Sequence, residues 1–131
     1  MATVAYREYR ISGGRVVRWL SLGNGDVGEP YPVSGFPDRS VQVTGTQGTG
    51  GNCQLQGSNM GLADGVTTPL FGALHKVDTS TLNVGSPAAS PIDTILEHCT
   101  LIRPSVTAGD GTTSYDVYLC IGNVSRSGMV D

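Results

Sequence analysis

Ser40-Val-Gln-Val-Thr-Gly-Thr-Gln-Gly-Thr-Gly-Gly-Asn-Cys-Gln-Leu-Gln-Gly-Ser-Asn59 decides the fold class of this chain. Val41 and Val43 alternate with Gln42 and Thr44, and Cys53 and Leu55 alternate with Gln54 and Gln56. A period of two is that of a strand with one face in a core and the other toward solvent. The Gly/Thr run between the two segments reads as a turn, so a central β-hairpin is expected here.

The same grammar extends outward in both directions. Residues 3–11 are rich in β-branched and aromatic side chains, Ser12-Gly13-Gly14 turns the chain, and residues 15–22 read as a partner strand. From Gly23 to Pro37 the prolines at 30, 32 and 37 exclude a helix or a central strand, which predicts a long loop or arm. Pro69 to Val77 fits a short helix or a strand, and Thr94 to Cys99 a strand or a helical turn. Residues 100–107 are expected to be extended, because Pro104 biases Arg103 away from helix. The clearest strand comes last, with Tyr115, Val117, Leu119 and Ile121 alternating with Asp116, Tyr118 and Cys120. No segment holds a 3.6-residue apolar period. The expectation is one all-β domain over residues 1–131, an antiparallel two-sheet sandwich of seven or eight strands, jelly-roll-like. Extended arms are expected at about 1–8, 23–37 and 122–131.

Composition narrows the function. The 131 residues include 19 glycines and 7 prolines, which suits many short strands joined by tight turns. Charged residues are 15% of the chain, against about 25% in an ordinary soluble domain. So sparse a charge makes sense for a surface covered by neighbouring subunits. The net charge of −3 argues against nucleic-acid binding, which needs a basic patch. Arg7, Arg10, Arg15 and Arg18 nevertheless make the first hairpin locally basic, and an acidic partner is one reading of that. Cys53, Cys99 and Cys120 are an odd count in apolar or alternating segments and are expected to be buried free thiols, as in a reducing cytoplasm. No apolar run is long enough to span a membrane as a helix.

Catalytic equipment is not apparent. The chain has no Gly-x-Ser-x-Gly, and His75 and His98 sit in ordinary strand-like contexts. His98 and Cys99 are adjacent, so on a strand they face opposite sides and could not easily share a metal ion. Asn24, Asp26, Glu29 and Asp110 lie beside glycines without calcium-loop spacing, and turn chemistry accounts for them. Gly48-Thr-Gly-Gly51 precedes a strand and not a helix, which excludes a phosphate loop. A non-enzymatic protein with no cofactor and no metal is expected. A sugar-binding module is the alternative from another class, with Trp19, Tyr31, Tyr115 and Tyr118 as its stacking surface.

Three stretches carry a resemblance: Asp38-Arg-Ser-Val-Gln-Val-Thr-Gly-Thr46, Gln54-Leu-Gln-Gly-Ser-Asn59 and Leu101-Ile-Arg-Pro-Ser-Val-Thr-Ala-Gly-Asp-Gly-Thr-Thr113. They resemble small virion structural proteins of tailed bacteriophages, capsid decoration (cement) proteins among them. The matching blocks cover less than half the chain, roughly residues 36–59 and 95–121. The chain departs from that pattern after Asn59, where Met60-Gly-Leu-Ala-Asp-Gly65 stands without the Trp that relatives commonly carry. The resemblance implies a protein made in the host cytoplasm that binds the major capsid protein on the capsid exterior and stiffens the shell. It also implies self-association, with a homotrimer expected and a dimer as the alternative; neither nucleic acid nor membrane is an expected partner. Another virion part, such as a tail or fibre-associated subunit, is the nearest competing expectation. The side chains expected at interfaces are Tyr6, Arg7, Tyr9, Arg10, Tyr31, Phe36, Tyr118 and Met129.

Overall fold

Alternation along the longer segments carries over into strands whose inner faces build one core between two sheets. The computed structural model describes residues 2–61, 67–87 and 91–122. In chain order the strands are β1 (Thr3–Val4), β2 (Arg7–Ile11), β3 (Gly14–Leu22), β4 (Val27–Gly28), β5 (Tyr31–Pro32) and β6 (Asp38–Thr46). They continue as β7 (Asn52–Ser58), β8 (Gly72–Ala73), β9 (Asn83–Val84), β10 (Ile92–Thr94), β11 (Leu101–Ala108) and β12 (Ser114–Gly122). No helix occurs among the described residues. The protein is an all-β two-sheet sandwich.

One sheet has the order β10-β6-β12-β3-β2 and is antiparallel throughout. The other runs β1-β4-β11-β7-β8, with β5 also on β11 and β9 also on β7. Its β1–β4 pair is parallel. Tyr115, Val117, Leu119 and Ile121 of β12 lie buried beside Val41 and Val43 of β6 and Val17 and Trp19 of β3. Cys53 and Leu55 of β7 and Ile102 and Val106 of β11 belong to the same core cluster. Trp19 keeps its one polar atom satisfied by donating from Nε1 to the Glu29 carbonyl at 3.0 Å.

The central hairpin expected over residues 40–59 is corrected to a crossover. Both strands form with the expected faces, but β6 pairs with β12 and β10 while β7 pairs with β11, β8 and β9. The loop between them does not fold back; it turns a corner from one sheet to the other. Gly48 and Gly50 take φ of 68° and 69°, a backbone region that glycine enters without strain. The corner is then held from outside, with Thr113 Oγ1 donating to the Gln47 carbonyl at 2.8 Å and the Thr49 amide donating to Asp110 at 2.9 Å.

Twelve strands among the described residues replace the seven or eight expected, because six are two- or three-residue pairings. Two of these, β4 and β5, fall in the proline-rich segment read as a loop or arm. They pair with β11, so residues 23–37 contribute to the seven-stranded sheet. The first hairpin forms as β2–β3, while β1 breaks away to join β4 in the opposite sheet. The 69–77 stretch supplies β8 and an isolated bridge from His75 to Thr81. Beyond Thr94 the 94–99 stretch is irregular.

Candidate interface on the five-stranded sheet

The pairing register sets which side chains share the outer face of the five-stranded sheet. One row runs Ile92, Gln42, Tyr118, Arg18, Arg7, and the next runs Thr94, Ser40, Cys120, Val16, Tyr9. Ile11 extends the apolar part at the β2 edge, and Ile92 stands 68% exposed at the β10 edge. Tyr9, Ile11 and Leu20 are also exposed large apolar residues. Between β3, β12, β6 and β10 the face dips into a shallow hollow of about 200 Å³ lined by Val16, Ser40, Gln42, Ile92, Tyr118 and Cys120.

Charge on this face is one-sided at the hairpin end. The Arg18 guanidinium lies 5.0 Å from the Tyr9 ring centroid, and its Nε is buried without a hydrogen-bond partner among the described residues. An arginine stacked on a tyrosine with an unused donor is the chemistry of interface anchors. Asp116, at the other end of β12, is taken up by the Ser21 amide at 2.8 Å.

The structure sorts the expected interface residues. Arg7, Tyr9 and Tyr118 come together on this outer face. Arg10 is exposed on β2 but points to the core side, opposite Arg15. Tyr6 is half-buried, its ring edge-on to Tyr31 at 4.9 Å and to Trp19 at 6.4 Å. Phe36 is half-buried under the Arg15 guanidinium at 5.3 Å. Tyr31 is 1% exposed, so its assignment to an interface is corrected; pairing of β5 with β11 draws its ring into the core. Met129 lies outside the described residues. Arg18, Val16, Ile92 and Cys120 share this candidate face and were not among the expected residues. The two-residue period already placed Cys120 beside Tyr118, but pairing of β3 and β10 with this face is long-range.

The cysteines differ in the same way. Cys53 and Cys99 are buried, whereas Cys120 is exposed, which corrects the expectation of three buried thiols. Tyr115, Val117, Leu119 and Ile121 take the core side of β12, leaving Cys120 outward. Burial pushes the Cys53 thiol up to about 12, so it stays protonated and inert at neutral pH.

The chemistry searched for in the sequence resolves into structural ties. His75 receives Glu97 at its ring Nδ1 and donates its amide to the other carboxylate oxygen at 2.8 Å. No hydroxyl or thiol hydrogen-bonds either side chain among the described residues. Burial alone would raise the Glu97 carboxyl, and the hydrogen bonds from His75 outweigh it and hold the group below its ordinary range. Asp26 accepts from the amides of Ala2 and Gly23, both at 2.9 Å. Asp110 accepts from Thr112 and Thr49 and is held well below the usual carboxylate range by those bonds. Among the described residues no group of three His, Cys, Asp or Glu side chains is placed to hold a metal ion. Trp19 and Tyr31 are both buried, which removes them as a sugar-stacking surface.

No protein-family model and no curated protein matches the chain. Among solved structures it is similar to YomS, an SPBc2 prophage-derived protein, with a TM-score of 0.58 and 11% identity. That likeness covers 88% of this chain and 99% of the other. Protein NMB1881 from Neisseria meningitidis is similar at a TM-score of 0.40 and 8% identity, over 90% of this chain and 83% of that one. At such identity the likeness to YomS shows a shared fold.

Proposed function

We propose that this protein is a non-enzymatic bacteriophage virion component, a capsid decoration protein that binds the major capsid protein lattice and stabilises the head. The observation that carries the reading is the outer face of the five-stranded sheet. It is an uncharged, partly apolar platform of Ile92, Tyr118, Val16 and Tyr9, with Arg7 and Arg18 at one side. A prophage-derived protein of the same fold supports a phage origin. The sparse charge and the resemblance in the β6, β7 and β11 segments support a life among neighbouring subunits.

The mechanism is linkage. A protein that binds only the assembled lattice stabilises the lattice by the free energy of that binding. Polar ladders on the strands give the platform orientation, and the Arg18–Tyr9 pair and its apolar neighbours give it grip. Self-association, as a homotrimer, would multiply these contacts at a symmetric capsid position. Electron cryomicroscopy of phage heads with and without the protein tests the reading. Extra density at a symmetric site on the shell, with the five-stranded sheet against the capsid protein, is the expected result. Density on the tail would move the protein to the tail-subunit reading.

A further inference from the structure

The two edges of the five-stranded sheet are opposite in character. β2 forms one edge and all five of its residues are exposed. β10 forms the other. The outward backbone groups of β2 and β10 have no hydrogen-bond partner among the described residues. Unpaired edges of this kind are templates for another strand.

Charge separates the two edges. β2 carries Arg7, Glu8 and Arg10, a net charge of +1, and β10 carries Asp93, a net charge of −1. The Arg10 side chain on β2 has neither an ion-pair nor a hydrogen-bond partner among the described residues, and neither has the Asp93 side chain on β10. Arg10 sits opposite Arg15 and Asp93 opposite Val41, which puts both side chains on the core side of the sheet. The opposite side carries Tyr9 and Ile11 at one edge and Ile92 at the other, 43%, 46% and 68% exposed.

We infer that these edges join copies of the protein head to tail, β2 of one against β10 of the next. The alternation of both strands agrees with that join. Placing Arg10 beside Asp93 puts Tyr9 and Ile11 beside Ile92 and Thr94 on the outer face, so one continuous sheet crosses the junction. The contact uses two different patches, so it is heterologous, and repeating it closes a ring when the rotation per copy allows. It rests on the reading that the protein works as a homo-oligomer and names the surface that makes it one.

Sedimentation of the full chain over a concentration series, at low and high salt, tests the join. The expected result is a discrete oligomer at low salt that is lost at high salt, because exposed charges are screened. Arg10→Asp or Asp93→Arg alone abolishes the oligomer, and the two together in one chain restore it. Circular dichroism confirms that each variant is folded. Should a reversal prevent folding, Arg10→Gln takes its place, with about a fivefold weaker association expected. A monomer at every concentration in low salt would overturn the inference and leave the arginines as edge protection. An oligomer indifferent to salt and to both reversals would overturn it as well. Binding of the same proteins to undecorated heads separates the two claims. A monomeric wild type that binds heads sinks the join alone, and a salt-sensitive oligomer that ignores heads sinks the decoration reading alone.

Discussion

The Tyr31 hydroxyl donates to Glu8 Oε2 at 2.5 Å and so ties β5 of one sheet to β2 of the other. Arg15 Nη1 donates to the same tyrosine oxygen at 3.1 Å. Burial pushes the Tyr31 hydroxyl up from its ordinary range, Glu8 pushes the same way and Arg15 opposes. The hydroxyl therefore remains a donor at neutral pH, and the basic hairpin is pinned to the core through it.

Tyr31→Phe removes this tie and the Arg15 bond to the same oxygen while keeping the ring in the core. The expected loss is about 1–2 kcal/mol, the lower range for a hydrogen bond to a charged group, since Glu8 is partly solvated. A urea midpoint shift with unchanged slope checks it. An unchanged midpoint would show that the hairpin holds without the tie.

Arg39 is 4% exposed, and no carboxylate pairs with it among the described residues. It spends its donors on backbone carbonyls instead: Phe36 at 2.7 Å, Val33 at 3.0 Å and Glu97 at 3.3 Å. Arg39→Ala takes the guanidinium from the Phe36 and Glu97 carbonyls, while Val33 keeps the Phe36 amide, and is expected to cost about 3 kcal/mol. Calorimetric unfolding of the variant is the check; a loss below about 1 kcal/mol would mean water replaces the guanidinium.

Thiol accessibility follows from the faces of the strands. With an aromatic disulfide reagent, one thiol per folded chain, Cys120, is expected to react quickly, and all three after unfolding. Rapid reaction of a second thiol would contradict the burial of Cys53 and Cys99.

How far the fold was legible depends on the range of the interaction. A period of two reveals which side chains share a face, so the inner and outer residues of β6, β7 and β12 were readable. It does not reveal which strand lies alongside, so β6 and β7 looked like a hairpin although they belong to different sheets. Tyr31 looked exposed because Pro30 and Pro32 flank it. Its partner Ile102 is distant in sequence and only pairing makes the segment a strand. For the candidate interface, Arg7, Tyr9 and Tyr118 were readable from composition and alternation. Ile92 and Arg18 join them only through register, which no local pattern encodes.

Acid stability should depend on Asp110. Its folded-state pKa lies below the unfolded value of about 3.9, so near that pH the unfolded chain binds the extra proton. The contribution is therefore complete above the unfolded value and is lost as pH falls toward the folded one. In Asp110→Asn the difference in stability between neutral and acid conditions should shrink, measured by denaturant midpoints across the acid range. An identical pH profile in the variant would show that the Thr49 and Thr112 bonds do not stabilise the corner.

Saturation binding of the purified protein to heads that lack it, with the heat stability of the heads read before and after, tests the central claim most directly. The predicted result is saturation at a fixed number of copies per head and a higher melting temperature, both weakened when Tyr118 and Arg18 are replaced by alanine in a folded variant. Heads that neither bind the protein nor gain stability would contradict the account.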